Sequence, residues 1–103
     1  MYARLISFSG ADPEKRENAL TTIREKVIPT LREYDGYGGY IALYDQDNRR
    51  AKAIILWESE DAATSAEETL AERRRQMAGG VGLTVDSADL YEALVVELEG
   101  ARV

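Results

Sequence analysis

The sequence predicts a single α+β domain: a four-stranded antiparallel sheet with two helices on one face. Three observations predict it. Apolar residues recur at three- and four-residue steps in two windows, Leu20 to Tyr34 and Ala62 to Met77, the spacing of an amphipathic helix. Four other short stretches are rich in apolar, aromatic and β-branched residues, as strands are. Glycine, proline and Asp/Asn clusters separate the two kinds of segment.

Tyr2 to Ser9 (YARLISFS) reads as the first strand, ended by Gly10. Asp12-Pro13 follows, an N-cap residue with proline in the first helical turn, where a missing N–H costs nothing. The first helix carries Leu20, Ile23, Val27, Leu31 and Tyr34 on one stripe, and Gly36 is its C′ stop. Pro29 inside it predicts a kink near Val27 or Ile28, or an early end and a restart. Tyr37 to Tyr44 (YGGYIALY) is the second strand, with a bulge where the glycines begin it. DQDNRR is a turn, and Ala51 to Trp57 returns as the third strand of a hairpin. Ser59 caps the second helix, Glu60 and Asp61 suit its first turn, and Ala62, Ala63, Ala66, Leu70 and Met77 form its stripe. Gly79-Gly80 is read as its end, and Leu90 to Leu98 (LYEALVVEL) as the last strand. The order strand–helix–strand–strand–helix–strand is the split-βαβ, ferredoxin-like arrangement.

With 103 residues the chain is read as one domain, 1–103, able to form one core. The 13 basic and 19 acidic residues give a net charge of -6, which argues against nucleic acid or an anionic membrane surface as partner. Cysteine is absent, so disulfides, thiolate catalysis and sulfur-bound metals are excluded. Histidine is absent too, which removes the usual base near neutral pH, a Ser-His-Asp triad, the usual zinc ligand and the usual proximal haem ligand. MYARLISFSG shows no leader pattern and no apolar run approaches about 20 residues, so a cytoplasmic location is expected.

Alternation along the strands makes both sheet faces apolar. Ala53, Ile55 and Trp57 oppose Ile54 and Leu56; Tyr40, Ala42 and Tyr44 oppose Ile41 and Leu43; Tyr91, Ala93 and Val95 oppose Leu90, Leu94, Val96 and Leu98. Two helices cover one face, so the other calls for a second copy packed sheet to sheet with two-fold symmetry.

The helix after the first strand, the Gly-Tyr-Gly-Gly run before the hairpin, and Trp57-Glu58-Ser59 followed by Glu60-Asp61-Ala62 resemble the dimeric α/β-barrel superfamily, in its antibiotic biosynthesis monooxygenase (ABM) branch. The resemblance implies a homodimer and a strand-three tryptophan, here Trp57, lining a substrate cavity. Haem-degrading members use a histidine and a strand-one asparagine; this chain has no histidine, and Ser7 and Ser9 stand in its first strand. Haem degradation is therefore disfavoured, while oxidation of an aromatic or polyketide-like molecule with no cofactor stays open, because an electron-rich aromatic supplies its own electrons to oxygen.

Trp57 reads first as packing and second as pocket lining. Tyr40 and Tyr44 share a strand face, and Tyr91 is expected to approach them across the sheet; the three read either as aromatic pairing or as hydroxyls that orient a planar ligand. Arg4, on a strand, needs a carboxylate or a ligand, with Glu92 or Glu97 as expected partner. Arg73, Arg74 and Arg75 fan around a helix and read as solvated surface. Asp45, Asp47 and Asn48 lack the glycine and closing Glu of a calcium loop and read as turn, so no metal site is expected. Gly36, Gly38 and Gly39 precede no helix and make no phosphate loop. No catalytic residue is assigned. Two functions stay open, a cofactor-independent monooxygenase and a non-catalytic ligand-binding or structural dimerisation domain; a lactone isomerase or decarboxylase lacks an obvious base.

Overall fold

A computed structural model describes residues 1–100, so the expected domain end at residue 103 lies outside the described residues. The elements are β1 (Tyr2–Ser9), a 3-10 turn (Pro13–Lys15), α1 (Arg16–Thr22), a π-helical turn (Ile23–Val27), α2 (Ile28–Arg32), β2 (Tyr37–Asp45), β3 (Arg50–Trp57), α3 (Glu60–Gly80) and β4 (Thr84–Glu92). All pairings are antiparallel, in the order β2-β3-β1-β4. This is the ferredoxin-like sheet that the sequence predicts, with one continuous helical rod (α1, the π turn and α2) and α3 packed on the same face.

Local chemistry accounts for the helix ends. Asp12 Oδ1 accepts the Glu14 N–H at 3.0 Å, and Ser59 Oγ accepts the Ala62 N–H at 3.1 Å. Proline at position 29 has no N–H, and its ring crowds the carbonyl four residues back. The predicted kink takes the form of a π turn, in which the Ile28 N–H reaches the Ile23 carbonyl before α2 begins. At the other end, α3 runs to Gly80, within the glycine pair read as its end. Neither glycine takes a left-handed φ; Gly82 does, at 79°, and the Leu83 N–H closes on the Ala78 carbonyl at 2.8 Å.

The last strand is Thr84–Glu92, not Leu90 to Leu98. β1 begins at Tyr2, opposite Glu92, and the Ala93 N–H to the Met1 carbonyl at 2.9 Å is the final rung. Past Ala93 the chain leaves the sheet, and Leu94, Val95, Val96 and Leu98 are exposed. A strand covered on one face alternates, and β4 does so: Val85, Ala88 and Leu90 turn toward the helices, while Ser87, Asp89 and Tyr91 turn away. A bulge that leaves Asp86 unpaired between Val85 and Ser87 hides this alternation in the sequence.

The core lies between sheet and helices and is built from Ile6, Leu31, Ala53, Ile55, Trp57, Ala63, Ala66 and Leu70. The uncovered face is apolar over three strands, through Ala3, Leu5, Ile41, Leu43, Ile54 and Leu56. It is narrower than expected, because β4 supplies polar residues there and Lys52 donates to Ser7 Oγ at 2.8 Å. Among the described residues no helix is long and apolar enough to cross a membrane.

Gly36 sits where α2 turns into β2, with φ 83°, and a Cβ there would stand 2.6 Å from the Ala62 Cβ of α3. Gly36→Ala combines left-handed strain with a clash against a packed helix and is expected to cost about 2–4 kcal/mol. Gly82→Ala meets only the flexible end of Lys15 and is expected to cost about 1–2 kcal/mol. Urea unfolding midpoints test the order; equal costs would mean that the α2–β2 corner is not fixed against α3.

Candidate ligand site

The antiparallel register lays the helix-facing side chains out in rows across the sheet. One row is Tyr37–Trp57–Tyr2–Glu92, and the next is Tyr40–Ile55–Arg4–Leu90. Behind them come Ala42–Ala53–Ile6–Ala88 and Tyr44–Ala51–Phe8–Val85. Neighbouring strands are about 4.8 Å apart, so Tyr40 and Arg4, with Ile55 between them, have backbones about 10 Å apart.

Trp57 is 1% exposed. Its indole meets the edges of Tyr34 and Tyr37, with centroids 6.3 and 6.2 Å away and planes inclined at 79° and 75°. The Tyr34 hydroxyl then bonds to Thr69 Oγ1 of α3 at 2.6 Å. The indole therefore packs the corner where α2, β2, β3 and α3 meet. A groove of about 480 Å³ lies outside this corner, lined by Tyr34, Ala62, Ser65 and Ala66 with Glu33, Asp35 and Asp61. A second, of about 430 Å³, runs past Pro29, Arg73 and Met77. Both lie between the helical layers; Trp57, Tyr40, Tyr44 and Arg4 line neither.

The second row is polar where the core would otherwise continue. Glu67 and Arg74 are seven residues apart, two helical turns, so both point from α3 the same way. Arg74 grips Glu67 through two bonds of 2.8 Å. Arg4 approaches the same carboxylate, Nε to Oε1 3.7 Å, and donates to the Ala88 carbonyl at 3.3 Å. The side chains of Arg4, Arg74 and Glu67 are 11%, 10% and 23% exposed. The expected partners of Arg4 do not reach it: Glu92 stands one row away, across from Tyr2, and Glu97 lies beyond the strand.

Arg74 is thus not solvated surface. Three consecutive arginines fan through successive steps of about 100°, so one of them turns inward. Ala63, Ala66, Leu70 and Arg74 continue a single three-and-four spacing, and that continuation is the signal in the sequence that marks Arg74.

Burial pushes the Tyr40 phenol up to about 12, against the opposing pull of the Arg74 charge. Tyr40 is therefore a neutral hydrogen-bond donor at any physiological pH. Tyr44, four residues on along the same face, is more open, and the Arg16 guanidinium sits 6.0 Å above its ring. Ala42, between the two tyrosines, is exposed. Tyr91 does not join them. It pairs across from Ala3 on the uncovered face, and β4 is the edge strand opposite β2. Its expected approach fails because the strand starts six residues early and because the order places two strands between.

The phenol supplies a pH signature. Its folded value lies above the unfolded one near 10, so its contribution to stability is complete below pH 10 and is lost between pH 10 and about 12. Tyr40→Phe is expected to remove part of the fall in unfolding free energy over that window and the last-titrating step in tyrosinate absorbance. A titration unchanged by the substitution would mean that the phenol is hydrated.

No protein-family model matches the sequence, and no curated protein does. Solved structures do match. One is a monooxygenase from the gene ActVA-Orf6 of Streptomyces coelicolor in complex with nanaomycin D: TM-score 0.69, 18% identity, 96% of this chain and 92% of that one covered. Another is SnoaB from Streptomyces nogalater, a cofactor-independent oxygenase: TM-score 0.66, 16% identity, coverage 95% and 97%. A third is a dimeric ferredoxin-like protein from an uncultured marine organism: TM-score 0.68, 7% identity, coverage 96% and 100%. At these identities the likeness is one of fold, and the chain has the architecture of the antibiotic biosynthesis monooxygenases.

Proposed function

We propose that the protein is a homodimeric, cofactor-independent monooxygenase acting on an electron-rich planar aromatic of polyketide-like size. The observation that carries this reading is the Tyr40 phenol, held neutral beside Arg74 on the helix face of the sheet. Ala42 gives a low, accessible floor between Tyr40 and Tyr44, whose Cα atoms are about 13 Å apart, room for a fused aromatic ring system. Tyr40 would donate to a substrate oxygen, Tyr44 would flank the ring, Arg4 would supply positive charge, and Trp57 would fix the corner against which Tyr37 and Tyr40 are set.

The chemistry needs no redox group on the protein. A benzylic or anthrone-type CH2 reacting with O2 becomes a carbonyl: one oxygen atom is inserted, and the other leaves as water with the two hydrogens. The substrate supplies the electrons, and the protein's part is to hold its oxygen in the donating form. The fold likeness to a cofactor-independent oxygenase supports the reading.

A non-catalytic binding or dimerisation domain is the second reading, favoured by the full packing of Trp57. Oxygen uptake with a panel of planar phenols and hydroquinones separates the two. The enzyme reading expects uptake with a product one oxygen richer, slowed about 10-fold or more in Tyr40→Phe. Saturable binding with no uptake would establish the second.

The apolar strip of Leu5, Ile41, Leu43 and Ile54 supports pairing with a second copy, at roughly 25 cal/mol per Å² buried. Lysine at both Leu43 and Ile54 is expected to turn the dimer into a monomer by sedimentation velocity. A wild type that sediments as a monomer would end the dimer proposal.

A further inference from the structure

The cluster of Arg4, Glu67 and Arg74 does not balance. Two guanidiniums share one carboxylate, and among the described residues neither has another acidic partner. Arg74 takes both Glu67 oxygens at 2.8 Å. Arg4 is left with a contact too long for a hydrogen bond, a 3.3 Å bond to a backbone carbonyl, and a buried Nε with no acceptor. A buried N–H on a cation without an acceptor is costly, and packing alone does not require it there.

Resting on the reading of the Tyr40–Tyr44 face as a ligand seat, we propose that Arg4 anchors an anionic oxygen of the ligand and that Glu67 is the internal counter-ion with which that oxygen competes. Three observations carry this. Arg4 and Tyr40 stand in the same row of the helix face, and Arg74, whose charge reaches the Tyr40 phenol, holds the carboxylate that Arg4 approaches, so the cluster borders the Tyr40 end of the seat. Glu67 is the most exposed of the three charged side chains, so it has room to give way. The cluster carries one positive charge in excess, which suits one ionised oxygen and not a phosphate group. The ligand class is a planar acid: a deprotonated hydroxyquinone, or a phenol bearing a carboxylate. Glu67 then acts as a selectivity element, since a neutral ligand cannot compete with it for Arg4.

The test is isothermal titration with 2-hydroxy-1,4-naphthoquinone, an anion at pH 7, and its neutral 2-methoxy analogue. Wild type is expected to bind the anion about 10-fold or more tightly than the methoxy compound. Arg4→Met leaves a neutral Glu67–Arg74 pair, so it is expected to fold, to bind both compounds alike and to keep the methoxy affinity. Glu67→Gln is expected to tighten the anion by about 10-fold without changing the methoxy compound. Binding of neither compound would sink the ligand seat and the anchor with it. Equal binding of both by wild type would leave the seat standing and overturn the anchor. Weaker anion binding in Glu67→Gln would overturn the competition.

Discussion

The structure depends on the burial of Trp57. Two aromatic edges from the α2–β2 corner close on its indole, and one of them, Tyr34, is tied to α3 through Thr69. Four elements thus share one side chain, and a single indole of this size contributes on the order of a few kcal/mol. Gly36 belongs to the same constraint. Only a residue without Cβ lets the chain turn this tightly against Ala62 and deliver Tyr37 to the indole. Because the corner is filled, Trp57 acts through position: it fixes the start of β2, and so the row on which Tyr40 stands.

From that dry corner the layer between sheet and helix changes character along α3. Its first half buries Ala63, Ala66 and Leu70, small enough to let the helix lie close to the sheet. Its inward stripe then continues with Arg74, and Glu67 lies beside it. The beginning of α3 therefore stabilises, and its middle places charge over the second row of the sheet. A polar cluster in such a place contributes little net stability, since desolvation offsets most of the Coulomb attraction. Its presence is better explained by what it can bind than by what it holds together.

Local chemistry was legible wherever it was self-contained. The Ser59 cap, the Asp/Asn hairpin turn, the glycine bulge and the effect of Pro29 each need only a few neighbouring residues, and each lies where the sequence places it. The position of β4 is not legible because LYEALVVEL is the more apolar run, while the alternation in TVDSADLYE is broken by the bulge at Asp86 and shows only in its register against β1. Tyr91 fell with it. The Glu67–Arg74 pair was hidden because charge on a helix is usually solvated, and the apolar stripe that leads into Arg74 outweighs that expectation only when followed past Leu70. Trp57 was visible as important, but sequence alone left open whether its face was wet.

Charge ties the site to its ligand. The chain carries a net charge of -6, and Glu33, Asp35 and Asp61 edge the groove outside the Trp57 corner. A polyanion approaching so acidic a chain meets repulsion that grows with each of its charges, whereas an anion with one ionised oxygen loses little. Inside, the local excess is a single positive charge, already opposed by Glu67. The anchor proposed for Arg4 thus suits a hydrophobic monoanion: enough charge to compete with a carboxylate, little enough to approach an acidic chain, and a planar body to lie over Ala42 between two tyrosines.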